Sequence, residues 1–105
     1  MESISRSFNS RSSIEEILQD LSSSLPDLRW MMRESHNEGD YIEGRGGDRI
    51  LVRIHDWCNA PFTQRPARCF QISLRLPEGK TGPLISKMLE IAGATDIVED
   101  EPYFE

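Results

Sequence analysis

The sequence has few cysteines and no long apolar run, and each shortage excludes a class of protein. Two cysteines in 105 residues are too few for the disulfide framework of a small secreted domain, so we expect reduced thiols. No apolar run approaches the ~18 residues that cross a bilayer, and residues 1–13 lack the apolar core of a secretory signal. The sequence therefore predicts a cytoplasmic protein that makes no contact with a membrane.

Catalytic and cofactor motifs are also missing. His55, Cys58 and Cys69 are candidate metal ligands, but they lack the short paired spacing that zinc sites use. If the strand continues, residues 55 and 58 face opposite ways, which also separates a Cys-His nucleophile pair. The glycine-rich segment 43–48 is followed by no helix, which indicates a hairpin turn rather than a phosphate loop. We expect no metal and no cofactor and favour a function without catalysis, while a disulfide between Cys58 and Cys69 stays open.

The charges are unevenly distributed along the chain. The formal net charge is −6, which disfavours a general nucleic-acid binder, because such proteins neutralise phosphates. Ten of the 12 basic residues are arginines, and eight of those lie between Arg29 and Arg75. From Ala94 onward the chain has acidic residues but no basic one. The arginines matter chemically because the planar guanidinium group holds a carboxylate or phosphate by two points.

Two helices are predicted from apolar spacing and end signals. Ser13 and Glu16 form a capping-box pattern, and an apolar stripe with a period of three to four residues follows, so we expect a helix over residues 13–24. A second helix is predicted from Thr81, with Gly93 as the glycine that ends it.

The remaining elements are strands, and together they predict the fold class. Alternating apolar and polar residues indicate strands near residues 28–33, 41–44, 49–57 and 68–76, and a short last strand near 94–98. The order α-β-β-β-β-α-β predicts an α+β two-layer sandwich, in which a mainly antiparallel sheet of 4–5 strands carries both helices on one face. The last strand is a candidate for parallel pairing, because it follows a helical crossover. We expect one domain over residues 13–98, a disordered lead-in over 1–12 and an acidic tail over 99–105.

The period of two assigns many charged and polar side chains to the face that the helices leave open. The predicted members are Arg29, Met31, Arg33, Leu51, Arg53, His55, Trp57, Gln71, Ser73 and Arg75. The acidic tail is a second charged surface, and its carboxylates are expected to pair either with a partner or with arginines of this face.

The leading hypothesis is a non-enzymatic small acidic binding protein, of the inhibitor, immunity or adaptor type, that occupies the surface of another protein. Aromatic residues and arginine dominate the binding energy of interfaces. The predicted partner-binding residues are Glu99, Asp100, Glu101, Tyr103 and Phe104 in the tail and Arg53, His55, Trp57 and Arg75 on the sheet. The alternatives are a nucleic-acid-binding or regulatory module that uses the arginine-rich face, and a small enzyme whose site is completed by oligomerisation, with His55 as base. Homodimerisation stays open.

Overall fold

Six strands and two helices form the fold of the residues that the structure describes. The computed structural model describes residues 2–35, 39–47, 49–56, 68–77 and 81–100. In chain order the elements are β1 (Glu2–Ser10), α1 (Ile14–Ser24), β2 (Arg29–Ser35), β3 (Gly39–Arg45), β4 (Leu51–His55), β5 (Arg68–Leu76), α2 (Thr81–Ile91) and β6 (Thr95–Asp100). The strands form one antiparallel sheet in the order β2-β3-β4-β5-β1-β6. The predicted α+β class is confirmed, whereas the predicted count of 4–5 strands is too low.

The additional strand is β1, which lies within the segment that we expected to be a disordered lead-in. It pairs with β5 along its whole length, from Glu2 opposite Leu76 to Ser10 opposite Arg68, and with β6 on its other side. The lead-in prediction is therefore wrong for residues 2–10. Apolar side chains indicated strands elsewhere, but only Ile4 and Phe8 of β1 are apolar.

Both helices begin or end on the signals that predict them. The Ser13 hydroxyl accepts a hydrogen bond from the Glu16 amide at 3.2 Å, and the Glu16 carboxylate accepts one from the Ser13 amide at 3.0 Å, which confirms the capping box. Gly93 follows α2 with a φ of +67°. The amide of Ala94 bonds back to the carbonyl of Leu89 at 3.0 Å, so glycine supplies the left-handed residue that closes the helix.

The core lies between the helices and one face of the sheet. Its fully buried side chains include Phe8 and Phe70, whose rings stack with centroids 5.5 Å apart. Ile17 and Leu21 from α1 and Met88 from α2 pack into the same cluster. The radius of gyration, 12.6 Å, is that of a single compact domain of this length.

The last strand differs from its prediction in direction and length. It is antiparallel to β1 rather than parallel to a neighbour, and it extends to Asp100, so the acidic tail begins within the sheet. Ser7 lies opposite Val98 and Asn9 opposite Thr95, so two residues of β6 oppose one of β1, a β-bulge. Asp96 in this bulge has a φ of +53°.

Two further observations concern membranes and thiols. No helix in the described ranges has the length and apolarity needed to cross a membrane. Cys69 is buried and disulfide-bonded, so the expectation of a reduced thiol is wrong for this residue. Cys58 lies outside the described residues, and the cytoplasmic location stays a prediction.

Candidate partner-binding surface

The face of the sheet opposite the helices is organised in rows of cross-strand neighbours, whose side chains point the same way. The first row consists of Arg29, Arg45, Leu51, Arg75 and Ser3. The second row consists of Met31, Glu43, Arg53, Ser73 and Ser5. The third row consists of Arg33, Tyr41, His55, Gln71 and Ser7. The rows confirm that the predicted residues share one face, except Trp57, which lies outside the described residues.

Only part of this face is accessible to solvent. His55, Gln71 and Ser73 are fully buried, as are Ser5 and Ser7 on the neighbouring strand β1. By contrast, Arg29, Met31 and Arg33 on β2 are exposed, as is Arg49 between β3 and β4. The surface available to a partner therefore lies toward β2, β3 and that turn, which the alternation of residue types did not reveal.

A hydrogen-bonded layer fills the buried part of the face. The Ser5 hydroxyl donates to the carbonyl of Ile72 at 3.0 Å and accepts from the Gln71 side-chain amide at 3.2 Å. Its oxygen also lies 3.1 Å from that of Ser73. Buried polar groups that are hydrogen-bonded are held in one geometry. This layer therefore makes the sheet rigid next to the accessible part of the face.

Glu43 is the one acidic residue within the three rows, and two arginines hold it. Arg45 donates from Nε and Nη2 to the two carboxylate oxygens at 3.1 and 3.4 Å, and Arg33 donates from Nε at 3.2 Å. Burial by itself raises the pKa of Glu43, but the hydrogen bond and charge of Arg45, together with those of Arg33, outweigh it and lower the pKa below its usual value. The carboxylate therefore stays ionised and fixes both guanidinium groups.

An aromatic contact lies beside this pair. The rings of Tyr41 and His55 stack with centroids 5.0 Å apart. The guanidinium carbon of Arg53 lies 5.7 Å from the centroid of the Tyr41 ring, a cation–π distance. The contact orders Arg53 and leaves it half-buried.

Two adjoining clefts open where the first row meets the turn after β3. One has a volume of about 430 Å³ and is lined by Arg45, Gly46, Arg49, Ile50, Leu51 and Arg75. The other has a volume of about 350 Å³ and is lined by Asp27, Arg29, Arg45, Gly46 and Gly47. Arg45 and Gly46 line both, so the two clefts are neighbours.

The predicted binding residues are distributed over both ends of the sheet. Arg53 and Arg75 lie on the open face and are half-buried, and His55 is buried. Glu99 is exposed on β6, where its Oε1 lies 3.6 Å from Nη2 of Arg6 on β1. It therefore pairs with Arg6 rather than with an arginine of the open face. The backbone of Asp100 belongs to β6. The other predicted residues, Trp57, Glu101, Tyr103 and Phe104, lie outside the described residues.

Sequence reasoning missed four residues that the structure adds to the candidate surface. Tyr41, Glu43 and Arg45 alternate along β3, so the period of two could have placed them on the open face. The prediction ended that strand at Gly44 and did not assign its side chains to the open face. Arg49 belongs to no strand, and only the fold brings it next to the first row.

Neither metal chemistry nor known relatives guide the interpretation further. In the described part of the chain, no three His, Cys, Asp or Glu residues are grouped so that they could hold a metal ion. No protein-family model matches the chain, and a search for similar curated proteins finds none. The function must therefore be argued from the surface itself.

Proposed function

We propose that this protein is a non-enzymatic binding protein that occupies an acidic surface of a partner protein through its arginine surface. The arginine surface comprises Arg29, Arg33, Arg45, Arg49, Arg53 and Arg75. The observation that carries the proposal is this concentration of arginines at one end of one sheet face, in a chain whose formal net charge is −6.

The arginines of this surface are accessible and partly fixed. The side chains of Arg33 and Arg45 are 47% and 58% exposed although both bind Glu43. A side chain held in place before binding loses less conformational entropy when a partner arrives. The exposed Met31, which lies next to Glu43 across β2 and β3, adds apolar area of the kind found in interface cores.

The charge of the whole chain favours a protein partner over nucleic acid. A polyanion that extends beyond the arginine surface meets a protein with an excess of carboxylates, and its binding is opposed by them. An acidic patch on a folded protein is confined to the size of the interface and avoids that repulsion. The proposed partner therefore presents a local cluster of carboxylates or other anionic side chains.

The test compares capture by two variants of equal net charge. Arg29→Gln/Arg49→Gln removes two exposed arginines that have no salt bridge within the described residues. Arg11→Gln/Lys87→Gln removes two exposed positive charges elsewhere. Tagged proteins are incubated with nuclease-treated lysate of the native host at several salt concentrations, and bound proteins are quantified by mass spectrometry.

We expect one protein to be captured near stoichiometrically by the wild type and the control variant, and at least about tenfold less by the arginine variant, in a salt-sensitive manner. Equal capture by both variants would remove the arginine surface from the function. Recovery of nucleic acid instead, with affinity that falls steeply as salt rises, would favour a nucleic-acid-binding module.

A further inference from the structure

We infer that the two adjoining clefts around Arg45 and Gly46 together form a binding site for a phosphate monoester on a side chain of the partner. This inference rests on the proposed function and names the group that the arginine surface recognises. Among the residues that the structure describes, four arginines, Arg29, Arg45, Arg49 and Arg75, and one carboxylate, Asp27, line the two clefts.

Arginines outnumber carboxylates among the described lining residues even when Glu43, which binds Arg45, is included, and this excess favours a doubly charged ligand. A carboxylate carries one negative charge, whereas a phosphate monoester carries about −1.5 to −2 near neutral pH and has three acceptor oxygens. Guanidinium groups bind phosphate through paired hydrogen bonds. A site lined by several arginines therefore matches a phosphate better than a single carboxylate, both in charge and in the number of acceptors.

The arginine that both clefts share is already oriented. Arg45 donates from two nitrogens to Glu43, which limits its rotation while leaving its side chain 58% exposed. A guanidinium group that is fixed on one edge can bind a ligand through its remaining N–H groups. Glu43 is thus a positioning residue for the site rather than a competitor that blocks it.

Arg49 is held in an uncommon backbone conformation beside the cleft. Its φ is +64°, in the left-handed region that residues other than glycine seldom adopt. A glycine would fit this φ without strain, yet the chain has an arginine whose exposed side chain lines the larger cleft. Arginine adds to the larger cleft a positive charge that glycine would not supply.

Asp27 supplies an internal check, because it is the one carboxylate among the described residues that line the two clefts. Its charge opposes an anionic ligand, whereas the charges of the arginines attract it. If the site binds phosphate, removing this carboxylate must raise the affinity for phosphate. A general loss of stability would not raise that affinity.

The first experiment uses inorganic phosphate as the probe. Isotope-labelled protein is titrated with phosphate at slightly alkaline pH and constant ionic strength, and amide shifts of residues 46, 47 and 49 are followed by NMR. Acetate serves as the singly charged comparison. The variants are Arg49→Gly, which suits the positive φ, Arg29→Gln and Asp27→Asn, with Arg11→Gln as the control for loss of a remote charge.

We expect saturable shifts with phosphate and weaker, unsaturated shifts with acetate. Arg49→Gly and Arg29→Gln should each weaken phosphate binding about fivefold to tenfold, Asp27→Asn should tighten it, and Arg11→Gln should leave it unchanged. Linear shifts with both anions, or equal weakening by Arg11→Gln, would overturn the inference. If capture of the partner still depended on Arg29 and Arg49 in that case, the proposed function would stand without the phosphate site.

The second experiment identifies where the phosphate resides. Host lysate is treated with phosphatase before capture by the wild-type protein, and a mock-treated sample is the control. We expect dephosphorylation to reduce capture about tenfold or more. Unchanged capture would overturn the assignment of the phosphate to the partner, even if inorganic phosphate bound in the first experiment.

Discussion

Glu43 shows how one buried carboxylate determines the geometry of a surface. Its side chain is 3% exposed, and it holds two arginines whose own side chains are about half exposed. A buried ion pair of this kind adds little stability compared with an apolar replacement of the same shape, but loss of one partner is costly. Its value to the protein is therefore the orientation that it gives to Arg33 and Arg45.

Replacing Glu43 with glutamine should destabilise the fold in a pH-dependent way. The folded pKa of Glu43 is lowered, so its stabilisation is present above the unfolded pKa and is lost as pH falls through the folded pKa. We expect Glu43→Gln to lower the free energy of unfolding by about 1–3 kcal/mol at pH 7. The difference from the wild type should shrink in acid.

Urea denaturation from pH 7 down to pH 3 provides the measurement. Glu90→Gln, at an exposed position on α2, is the control, and its effect should be small at every pH. A difference for Glu43→Gln that stayed constant across this range would show that the carboxylate charge is not responsible.

Gly44 is required by the side chain across from it. Trp30 lies opposite Gly44 on β2, and its indole N–H donates to the carbonyl of Leu25 at 2.9 Å. A Cβ atom at residue 44 would lie 2.6 Å from the Trp30 ring, whereas one at Gly47 would meet nothing within 4 Å. The two glycines therefore form a matched pair for substitution.

We expect Gly44→Ala to lower the free energy of unfolding by about 1–3 kcal/mol, because the ring must move out of its site. Gly47→Ala should leave stability unchanged or raise it slightly, since alanine reduces the entropy of the unfolded chain. Thermal denaturation followed by tryptophan fluorescence measures both. Similar losses in the two variants would indicate that backbone freedom, rather than the Trp30 contact, requires glycine.

At the scale of elements, β1 is the one strand of the described sheet that was not predicted from the sequence. It is bonded on both sides, to β5 and β6, so it lies inside the sheet rather than at its edge. On the helix side, Phe8 is fully buried, and on the other side Ser5 and Ser7 are also fully buried. A strand with serines on a buried face does not show the apolar alternation that sequence reasoning uses.

Hydrogen exchange provides a direct test of this strand. Amides of residues 5–10 should exchange as slowly as those of β5, because opening them requires separating β1 from the strands on both of its sides. Exchange of the intact protein is followed by NMR at neutral pH, with the exposed residue Arg11 as an internal reference for rapid exchange. Exchange of residues 5–10 at the rate of an unstructured peptide would contradict the paired strand.

The contrast between β5 and β1 explains how much the sequence predicted. Strand β5 was predicted over its observed span, Arg68–Leu76, because apolar residues alternate along it. Both helices followed from their stripes and end signals, which act locally. The place of β1 between β5 and β6 depends on pairing with residues far along the chain, such as Glu2 with Leu76 and Ser5 with Asp100, for which the chain has no local signal.

The same limit applies to the candidate surface. The period of two placed Arg53 and Arg75 on one face, as the rows of neighbours confirm. It did not show that His55 between them in sequence is fully buried, because burial on this face depends on what lies above it. The clefts around Arg45 were also beyond prediction, since they require the register between three strands and a turn.

For the whole molecule, the two edges of the sheet differ in charge. Strand β2 at one edge carries the exposed Arg29 and Arg33, and β6 at the other carries the exposed Asp96 and Glu99. Neighbouring strands are about 4.8 Å apart, so the two edges of the six-stranded sheet are separated by roughly 24 Å. The acidic edge therefore lies far enough from Arg29 and Arg33 on β2 to be screened from them at physiological salt.

Asp96 and Glu99 also affect self-association, because β6 is an edge strand with exposed apolar residues. Ile97 is 48% exposed and Val98 is 43% exposed, and such an edge is prone to pair with a second copy. In an antiparallel pair of two β6 strands, carboxylates of one copy would approach those of the other, and like charges across strands are unfavourable. Asp96 and Glu99 should therefore keep the protein monomeric.

Removing these charges should make the protein self-associate. We expect Asp96→Asn/Glu99→Gln to dimerise or aggregate at concentrations at which the wild type sediments as a monomer, because the repulsion between paired edges is gone while Ile97 and Val98 remain. Sedimentation velocity over a concentration series measures this. The control Glu15→Gln/Glu90→Gln has the same net charge but neutral residues on the exposed sides of the helices. If that control self-associated to the same extent, the effect would come from net charge. If the Asp96→Asn/Glu99→Gln variant stayed monomeric, features other than these two carboxylates would prevent pairing at the β6 edge.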